Sequence, residues 1–375
     1  MSLIKSLSIL KRIDWLLLIA VFLLICFGLS TIYSLVLSEE NPANTQTSQS
    51  FNLLYKQIAF SVLGLLLLFI FILFDYRWWY SLSGWLYLLS IILLILVLFL
   101  GQKLKGTTGW FVWGNFSFQP VELAKLAVII FLSRCFSAWS NEKYQLKIWL
   151  KSFLVILPVC ILTMLQPDFG STAVIVLVWF GMLWLSNINK KHLLSFLIIV
   201  CLLTALSWQF LWHDYQKARI LTFLNPKADP LGAGYNTRQS IIAVGSGGFW
   251  GRGLGLGTQS QLHFLPVSKA DFIFAALAEE LGFLGVTLIF ILYFLIFYRA
   301  FRIIQNSKND FSLFLVFGLS FMFFIQLVIN IGMATGVLPI TGLPLPFVSY
   351  GGSFLIISLI AIGIIQSVNL RQKNF

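Results

Sequence analysis

The side chains of this sequence with the clearest chemical potential are acids and bases set among apolar neighbours. They are Glu122 and Lys125 in WGNFSFQPVELAKL, Asp168 in QPDFGS, and Asp271, Glu279 and Glu280 in ADFIFAALAEELG. Glu122 and Lys125 are three residues apart, so on a helix they share a face and can pair. Pro120 suits the first turn of such a helix and Glu122 its positive end. Two readings compete: a helix start whose ion pair carries Lys125 into the membrane boundary, or a functional site, because an ionisable residue at span depth is costly. Asp271 opens an apolar run. Taken as helix, that run places Glu279 about 12 Å further along and about 80° around, with Glu280 nearly opposite Asp271. No close carboxylate pair of the glycosidase kind can form within it. The pattern instead favours one carboxylate, Asp271, at the water boundary, with Glu279 and Glu280 in support. The structural alternatives are a helix cap for Asp271 and pairing with buried bases or backbone for the glutamates.

Three further stretches break the apolar pattern. QPDFGS, with Gln166 and Asp168, is a polar Pro/Gly turn. The segment 213–270 is rich in glycine and carries Arg219, Lys227, Arg238, Arg252 and Lys269, bases suited to phosphate or diphosphate. It contains no GxGxxG and no GxxxxGK[ST], which excludes a nucleotide loop of those kinds. Its length, and the apolar IIAV and FLPV within it, point to an ordered cap with partly buried pieces. In INIGMATGVLPITGLPLPFVSYGGS, Pro339, Pro344 and Pro346 rule out continuous helix. Irregular backbone at membrane depth must pack in protein or line a polar cavity, so this stretch reads as a groove wall.

The elements that position these residues follow from composition. The chain has 375 residues, 59% hydrophobic and 10% charged, with a mean hydropathy of +0.92. That excludes an ordinary soluble domain. The net charge of +12 is explained by loop charges that orient a membrane protein, without nucleic acid. Cys26, Cys135, Cys160 and Cys201 lie in apolar runs without metal-ligand spacing, so neither a zinc site nor a disulfide framework is indicated. The basic N-terminus precedes an apolar run too long for a cleaved signal peptide and reads as a retained span.

Scanning for runs of about 20 apolar residues gives about ten spans. They lie near 14–37, 53–74, 81–101, 120–138, 149–165, 171–187, 193–212, 271–298, 311–334 and 351–368. The expected fold is therefore all-α: one polytopic membrane domain over 1–375 with a long extracytoplasmic loop, 213–270, between spans seven and eight. With cytoplasmic termini, the short inner segments collect most Lys and Arg, among them Arg77, Arg134, Lys190, Lys191 and Arg299, as the positive-inside rule requires. The unusual residues then gather on the outer face, and the inner half of most spans is apolar.

In order and spacing, QPVELAK, QPDFG, DPLGAGYNTRQSIIAVGSGG, GTQSQLHFLP, ADFIFAALAEELG and NIGMATGVLPITGLPLPFVSYGGS resemble the signature of the SEDS family (shape, elongation, division and sporulation). GTQSQLHFLP, and NIGM followed by PITGLPLP, resemble its RodA branch more than its division paralogue FtsW. The resemblance implies a peptidoglycan glycosyltransferase in the bacterial cytoplasmic membrane. Such an enzyme joins lipid II units into glycan strands at the outer face during elongation and releases undecaprenyl diphosphate. It implies Asp271 as the catalytic base, and substrate-binding roles for Lys125, Arg219, Glu122, Gln166, Asp168 and Ser349. Lys125 and Arg219 would steady the diphosphate, with Glu122 orienting Lys125. It also implies a class B penicillin-binding protein as partner, beside other elongation-machinery membrane proteins. No cofactor is required, and a divalent cation, Mg or Mn, is left open. One departure stands out: where the family often has two arginines before a Trp, this chain has Thr108 and Gly109, which leaves Lys103 or Lys105 to take over any phosphate role. A lipid II flippase, an FtsW-type division polymerase and a non-catalytic scaffold are the alternatives. A flippase would need a polar path reaching both faces.

Overall fold

The computed structural model of the chain describes residues 12–37, 47–104, 107–114, 116–139, 145–186, 223, 233–262, 264–265 and 267–372. The helices are α1 (Trp15–Leu37), α2 (Thr47–Leu73), α3 (Arg77–Leu100), α4 (Pro120–Trp139), α5 (Gln145–Leu165) and α6 (Phe169–Leu185). After them come α7 (Ala233–Ser246), α8 (Thr258–Gln261), α9 (Ile273–Gln305), α10 (Asp310–Ala334) and α11 (Gly352–Gln372). Seven of these, α1, α2, α3, α5, α9, α10 and α11, are long and apolar enough to cross a membrane. α4 has 20 residues but carries Glu122, Lys125 and Arg134, and α6 has only 17. The chain is a multi-pass membrane protein. Nine of the ten expected spans match helices, with ends displaced by up to about two turns; the remaining one, 193–212, lies outside the described residues.

α11 is apolar all round and buried nearly throughout, which makes it the core helix. It packs along α2 through small residues. A Cβ on Gly64 would stand 2.5 Å from a Leu359 methyl, and one on Gly363 would stand 2.8 Å from the Leu68 carbonyl oxygen. α2 and α3 turn exposed residues such as Leu66, Phe69, Trp85 and Phe99 outward, the surface expected to meet lipid. At the end where α9 finishes, buried Asp14 accepts from Arg299 Nε at 2.5 Å, while Gln366 donates to the Asp14 carbonyl at 2.8 Å. Those contacts tie α1, α9 and α11 together.

Between α3 and α4 the fold adds a feature that the span count did not anticipate, a small antiparallel meander. It consists of β1 (Gln102–Leu104), β2 (Thr107–Trp113) and β3 (Phe116–Phe118). Phe111 pairs with Phe118, and Trp113 with Phe116. The run is rich in Thr and aromatic residues, which favour strands, and Gly114 makes the β2–β3 turn with φ +56°.

Candidate active site

α4 begins as its sequence predicts, with Pro120 as first residue and Glu122 in the first turn. Lys125 Nζ donates to Glu122 Oε1 at 2.8 Å, and the two are 1% and 4% exposed. Glu122 takes one of the ammonium's three donors. The Phe354 ring at the start of α11 faces the same ammonium, 5.8 Å from its centroid. The paired reading therefore holds, and the pair is inside the protein.

The QPDFGS turn separates α5 from α6, as Pro167 and Gly170 suggested. Asp168 caps α6, with Oδ1 accepting the Ser171 N–H at 2.9 Å and Oδ2 accepting Gln119 Nε2 at 3.3 Å. Gln119 immediately precedes α4, so this acid joins the starts of α4 and α6. Gln166 is buried, donates to the Leu94 carbonyl at 3.2 Å, and lies against β2. A Cβ on Gly109 would stand 2.9 Å from Gln166 Oε1, so the glycine at this departure from the family pattern makes room for that amide. Lys103 is exposed on β1. Lys105, Lys227 and Arg219 lie outside the described residues.

Asp271 stands in the turn before α9, two residues ahead of its first helical residue, and is partly exposed. Phe272 occupies the cap position, so Asp271 is not the N-cap of α9. Its backbone is held on both sides. The Asp271 N–H donates to the Val267 carbonyl at 3.2 Å, and its carbonyl accepts Asn330 Nδ2 at 3.0 Å. The same Asn330 amide donates to the Leu343 carbonyl at 2.7 Å, which fastens the Asp271 turn to the proline-rich stretch. There, a Cβ on Gly342 would stand 3.5 Å from Asp271 Oδ2.

Ser349 is a buried clamp in this join. Its hydroxyl donates to the Ala270 carbonyl at 2.6 Å and accepts the Leu345 N–H at 2.8 Å, so it grips the residue next to Asp271. Gln57 of α2 reaches the same stretch, donating to the Ser349 carbonyl at 3.3 Å and accepting the Gly351 N–H at 3.2 Å. Burial raises the Tyr350 phenol above its ordinary value. On the other side of the stretch a Cβ on Gly170 would stand 3.1 Å from the Thr341 carbonyl oxygen. Residues 341–343 are thus shared by the Asp271 turn and the start of α6, and through Asp168 and Gln119 they connect to the start of α4. QPVELAK, QPDFG, the Asp271 turn and the proline-rich stretch converge as one assembly. Asn330 and Gln57 were missed as parts of it; a lone amide in an apolar run was the available signal.

Glu279 and Glu280 do not join that assembly. α9 breaks at Gly282, where φ is +64° and ψ −163°. The carbonyls of Glu279 and Glu280 released by the break accept the N–H groups of Arg252 and Gly253 at 3.0 and 2.9 Å. The N–H groups of Phe283 and Leu284 donate to Gly248 and Phe249 at 2.9 and 3.2 Å. The glycine-rich loop is therefore a patch over a broken span, as broken backbone at membrane depth demands. Its glycines allow backbone to meet backbone: a Cβ on Gly247 would stand 1.9 Å from the Ala278 carbonyl oxygen, and one on Gly251 would stand 2.2 Å from that of Glu280. The carboxylates finish the task. Glu279 accepts the N–H groups of Gln259 and Ser260 at 2.8 and 2.9 Å. Glu280 accepts from the Ser34 hydroxyl, from the Gly255 N–H at 3.2 Å and from Gln261 Nε2 at 3.0 Å.

Comparison with known proteins agrees with this geometry. The FtsW/RodA/SpoVE family model, described as cell cycle protein, matches residues 14–374. The chain belongs to this family. Among its FtsW/RodA/SpoVE relatives, the peptidoglycan glycosyltransferase MrdB of Escherichia coli K12 is 36% identical over 327 residues, covering 87% of this chain and 88% of that protein. The probable peptidoglycan glycosyltransferase FtsW of Geobacter metallireducens is 34% identical over 377 residues, covering 98% of each. A chain from a solved structure described as "Structural coordination of polymerization and crosslinking by a peptidoglycan synthase complex" superposes with a TM-score of 0.79 at 31% identity. That match covers 97% of this chain and 99% of the other. This member of the FtsW/RodA/SpoVE family is accordingly a glycosyltransferase.

Proposed function

We propose that this membrane glycosyltransferase polymerises lipid II at the outer face of the cytoplasmic membrane during cell elongation, with Asp271 as general base. The supporting observation is the position of Asp271: partly exposed, at the opposite end of α9 from Arg299 and Arg302, on a turn whose backbone is pinned by Asn330, Val267 and Ser349. Arg77, Arg134, Lys308 and Arg371 also belong to the end remote from Asp271. By the positive-inside rule that end is cytoplasmic, together with both termini.

In the proposed reaction the 4-hydroxyl oxygen of the acceptor sugar attacks the anomeric carbon of the donor. The carbon–oxygen bond to the diphosphate breaks, and undecaprenyl diphosphate leaves with the bonding electrons. Asp271 takes the hydroxyl proton, and a single carboxylate suffices. Lys125, with one of its donors engaged by Glu122, is assigned to the departing diphosphate, together with Arg219. Asp168, Gln166 and Ser349 hold the walls. Among the described residues no group of three His, Cys, Asp or Glu side chains is placed to hold a metal ion, and no step is routed through a divalent cation.

The partner in this reading is a class B penicillin-binding protein, in keeping with the solved complex described as coordinating polymerization with crosslinking. The choice of elongation over division rests on GTQSQLHFLP and on NIGM with PITGLPLP. The test uses the full chain with its partner in liposomes containing labelled lipid II. Wild type is expected to yield glycan polymer and Asp271→Asn almost none. Equal polymer from both removes Asp271 as the base, and movement of lipid without polymer makes the protein a flippase.

A further inference from the structure

One polar side chain of α10 stands apart from the rest. Gln326 is 0% exposed, and among the described residues neither its amide nitrogen nor its amide oxygen has a hydrogen-bond partner. An amide left unpaired in a protein interior is costly, so a fold that keeps one there supplies it with a partner.

The register of α10 against α4 shows what surrounds it. The two helices run antiparallel. Phe314 meets Phe136 with ring centroids 5.2 Å apart, a Cβ on Gly318 would stand 2.7 Å from Ile129 Cγ2, and Met322 lines one small void together with Lys125. Gln326 is one turn beyond Met322 on the same face of α10, and Glu122 is one turn before Lys125 on α4, so Gln326 comes level with Glu122. Phe324 and Val328, each 46% exposed, mark the opposite side of α10, which turns Gln326 into the bundle. One turn further on, the Asn330 Nδ2 that holds the Asp271 and Leu343 carbonyls leaves Asn330 Oδ1 buried without a partner among the described residues. Two free acceptors, Gln326 Oε1 and Asn330 Oδ1, thus follow one another along this face. Glu122 takes one of the three donors of the Lys125 ammonium, which leaves two.

We propose that Gln326 and Asn330 hold a buried water against the Lys125 ammonium, which makes Gln326 a positioning residue for Lys125. The water accepts one ammonium N–H and donates to Gln326 Oε1 and Asn330 Oδ1, the three bonds typical of a buried water. With Glu122 on one donor and the water on a second, the ammonium is fixed in direction and keeps one N–H for the departing diphosphate. The proposal rests on the assignment of Lys125 to that diphosphate.

Two measurements on the full chain with its partner test it. A density map of the wild-type complex fine enough to show waters should place one within about 3 Å of both Lys125 Nζ and the Gln326 amide oxygen. No water there, or a Gln326 amide bonded directly to another protein group, overturns the proposal. In liposomes with labelled lipid II, Gln326→Met keeps the length of the side chain and removes the amide. Its kcat should fall about tenfold, with KM within about twofold of wild type and a thermal midpoint within a few degrees. An unchanged kcat, or a kcat that falls together with the midpoint as for a packing defect, overturns the positioning role. Lys125→Gln is measured beside it. A slow Lys125→Gln next to a wild-type rate in Gln326→Met sinks this proposal alone, whereas wild-type rates in both remove the diphosphate assignment and this proposal with it. Should Lys125→Gln fail to fold, the density and Gln326→Met decide.

Discussion

Two irregular stretches cross the Asp271 end of the bundle, and they satisfy their backbones in opposite ways. Prolines 339, 344 and 346 supply carbonyls and no N–H groups, so the neighbouring elements must offer donors. They offer Asn330 to Leu343, the Tyr293 hydroxyl to Pro346 and Gln57 to Ser349. The glycine-rich loop keeps its N–H groups, so its neighbours must offer acceptors. They offer the carbonyls freed by the break at Gly282 and the carboxylates of Glu279 and Glu280. An acid planted in a span is thus explained by backbone when it faces a glycine-rich loop. Asp271 belongs to the proline-rich side, where the Asn330 amide and the Val267 carbonyl hold its backbone, so the glycine-rich loop that explains Glu279 and Glu280 is not what places it.

The largest effect should come from the acid the comparison sets apart. Asp271→Asn keeps the shape of the side chain and removes a base, so polymerisation should fall about 10²- to 10⁴-fold. The thermal midpoint should move little, because Asn keeps the shape of this partly exposed side chain and the backbone N–H and carbonyl that bond to Val267 and Asn330. A large loss of thermal stability in this variant would place Asp271 with the structural acids and erase the distinction.

Glu279 should behave the other way round. Glu279→Ala strands the N–H groups of Gln259 and Ser260, two bonds to a charged acceptor, at a cost of about 3–5 kcal/mol read from thermal unfolding. Glu279→Gln keeps one acceptor oxygen and should lose less than half of that. Full stability of Glu279→Gln with no polymer formed would make this acid a chemical one and break the comparison from its other side.

Asn330 probes the proline-rich stretch. Asn330→Ala leaves the Asp271 and Leu343 carbonyls without their shared donor, a loss of about 1–3 kcal/mol. Both stability and polymerisation should drop, because this amide holds the turn and the wall together. Asn330→Asp should be worse than Asn330→Ala, since it sets a carboxylate against two carbonyl oxygens. A stable and fully active Asn330→Ala protein would mean that the turn holds its position without the clamp.

How far these arrangements could be read beforehand depended on range. The spans follow from the length of apolar runs, a local property, and Pro120, Glu122 and Lys125 form their helix start and i,i+3 pair as the spacing requires. The turn before α6 was legible for the same reason, although Asp168 proved to be a helix cap with a second link to Gln119. The β-meander was not, because 102–118 fell between two apolar runs and only pairing of its aromatic strands reveals it. The purpose of the glycines was hidden as well. It depends on a break at Gly282, dozens of residues from Gly247 and Gly251, and on approaches too close for any Cβ. Asp271 was singled out correctly as an acid at a span end, yet the helix begins two residues later than the apolar pattern suggested, because the turn from Val267 to Phe272 already uses its N–H groups.

The smallest expected effect on the rate tests whether the immediate surroundings of Asp271 matter to the chemistry. Gly342 has φ +74°, and a methyl group there would stand 3.5 Å from Asp271 Oδ2. Gly114, in the β2–β3 turn, has φ +56° and nothing within 4 Å of where its methyl would go. Alanine at either position costs about 1–2 kcal/mol of backbone strain, so the two variants should melt alike. They should differ in catalysis. Gly342→Ala sets a methyl in van der Waals contact with the carboxylate and takes up space beside it, so it should lower the polymerisation rate at saturating lipid II, whereas Gly114→Ala should leave it at the wild-type value. Equal rates in the two variants would show that the space beside Gly342 does not limit the chemistry at Asp271.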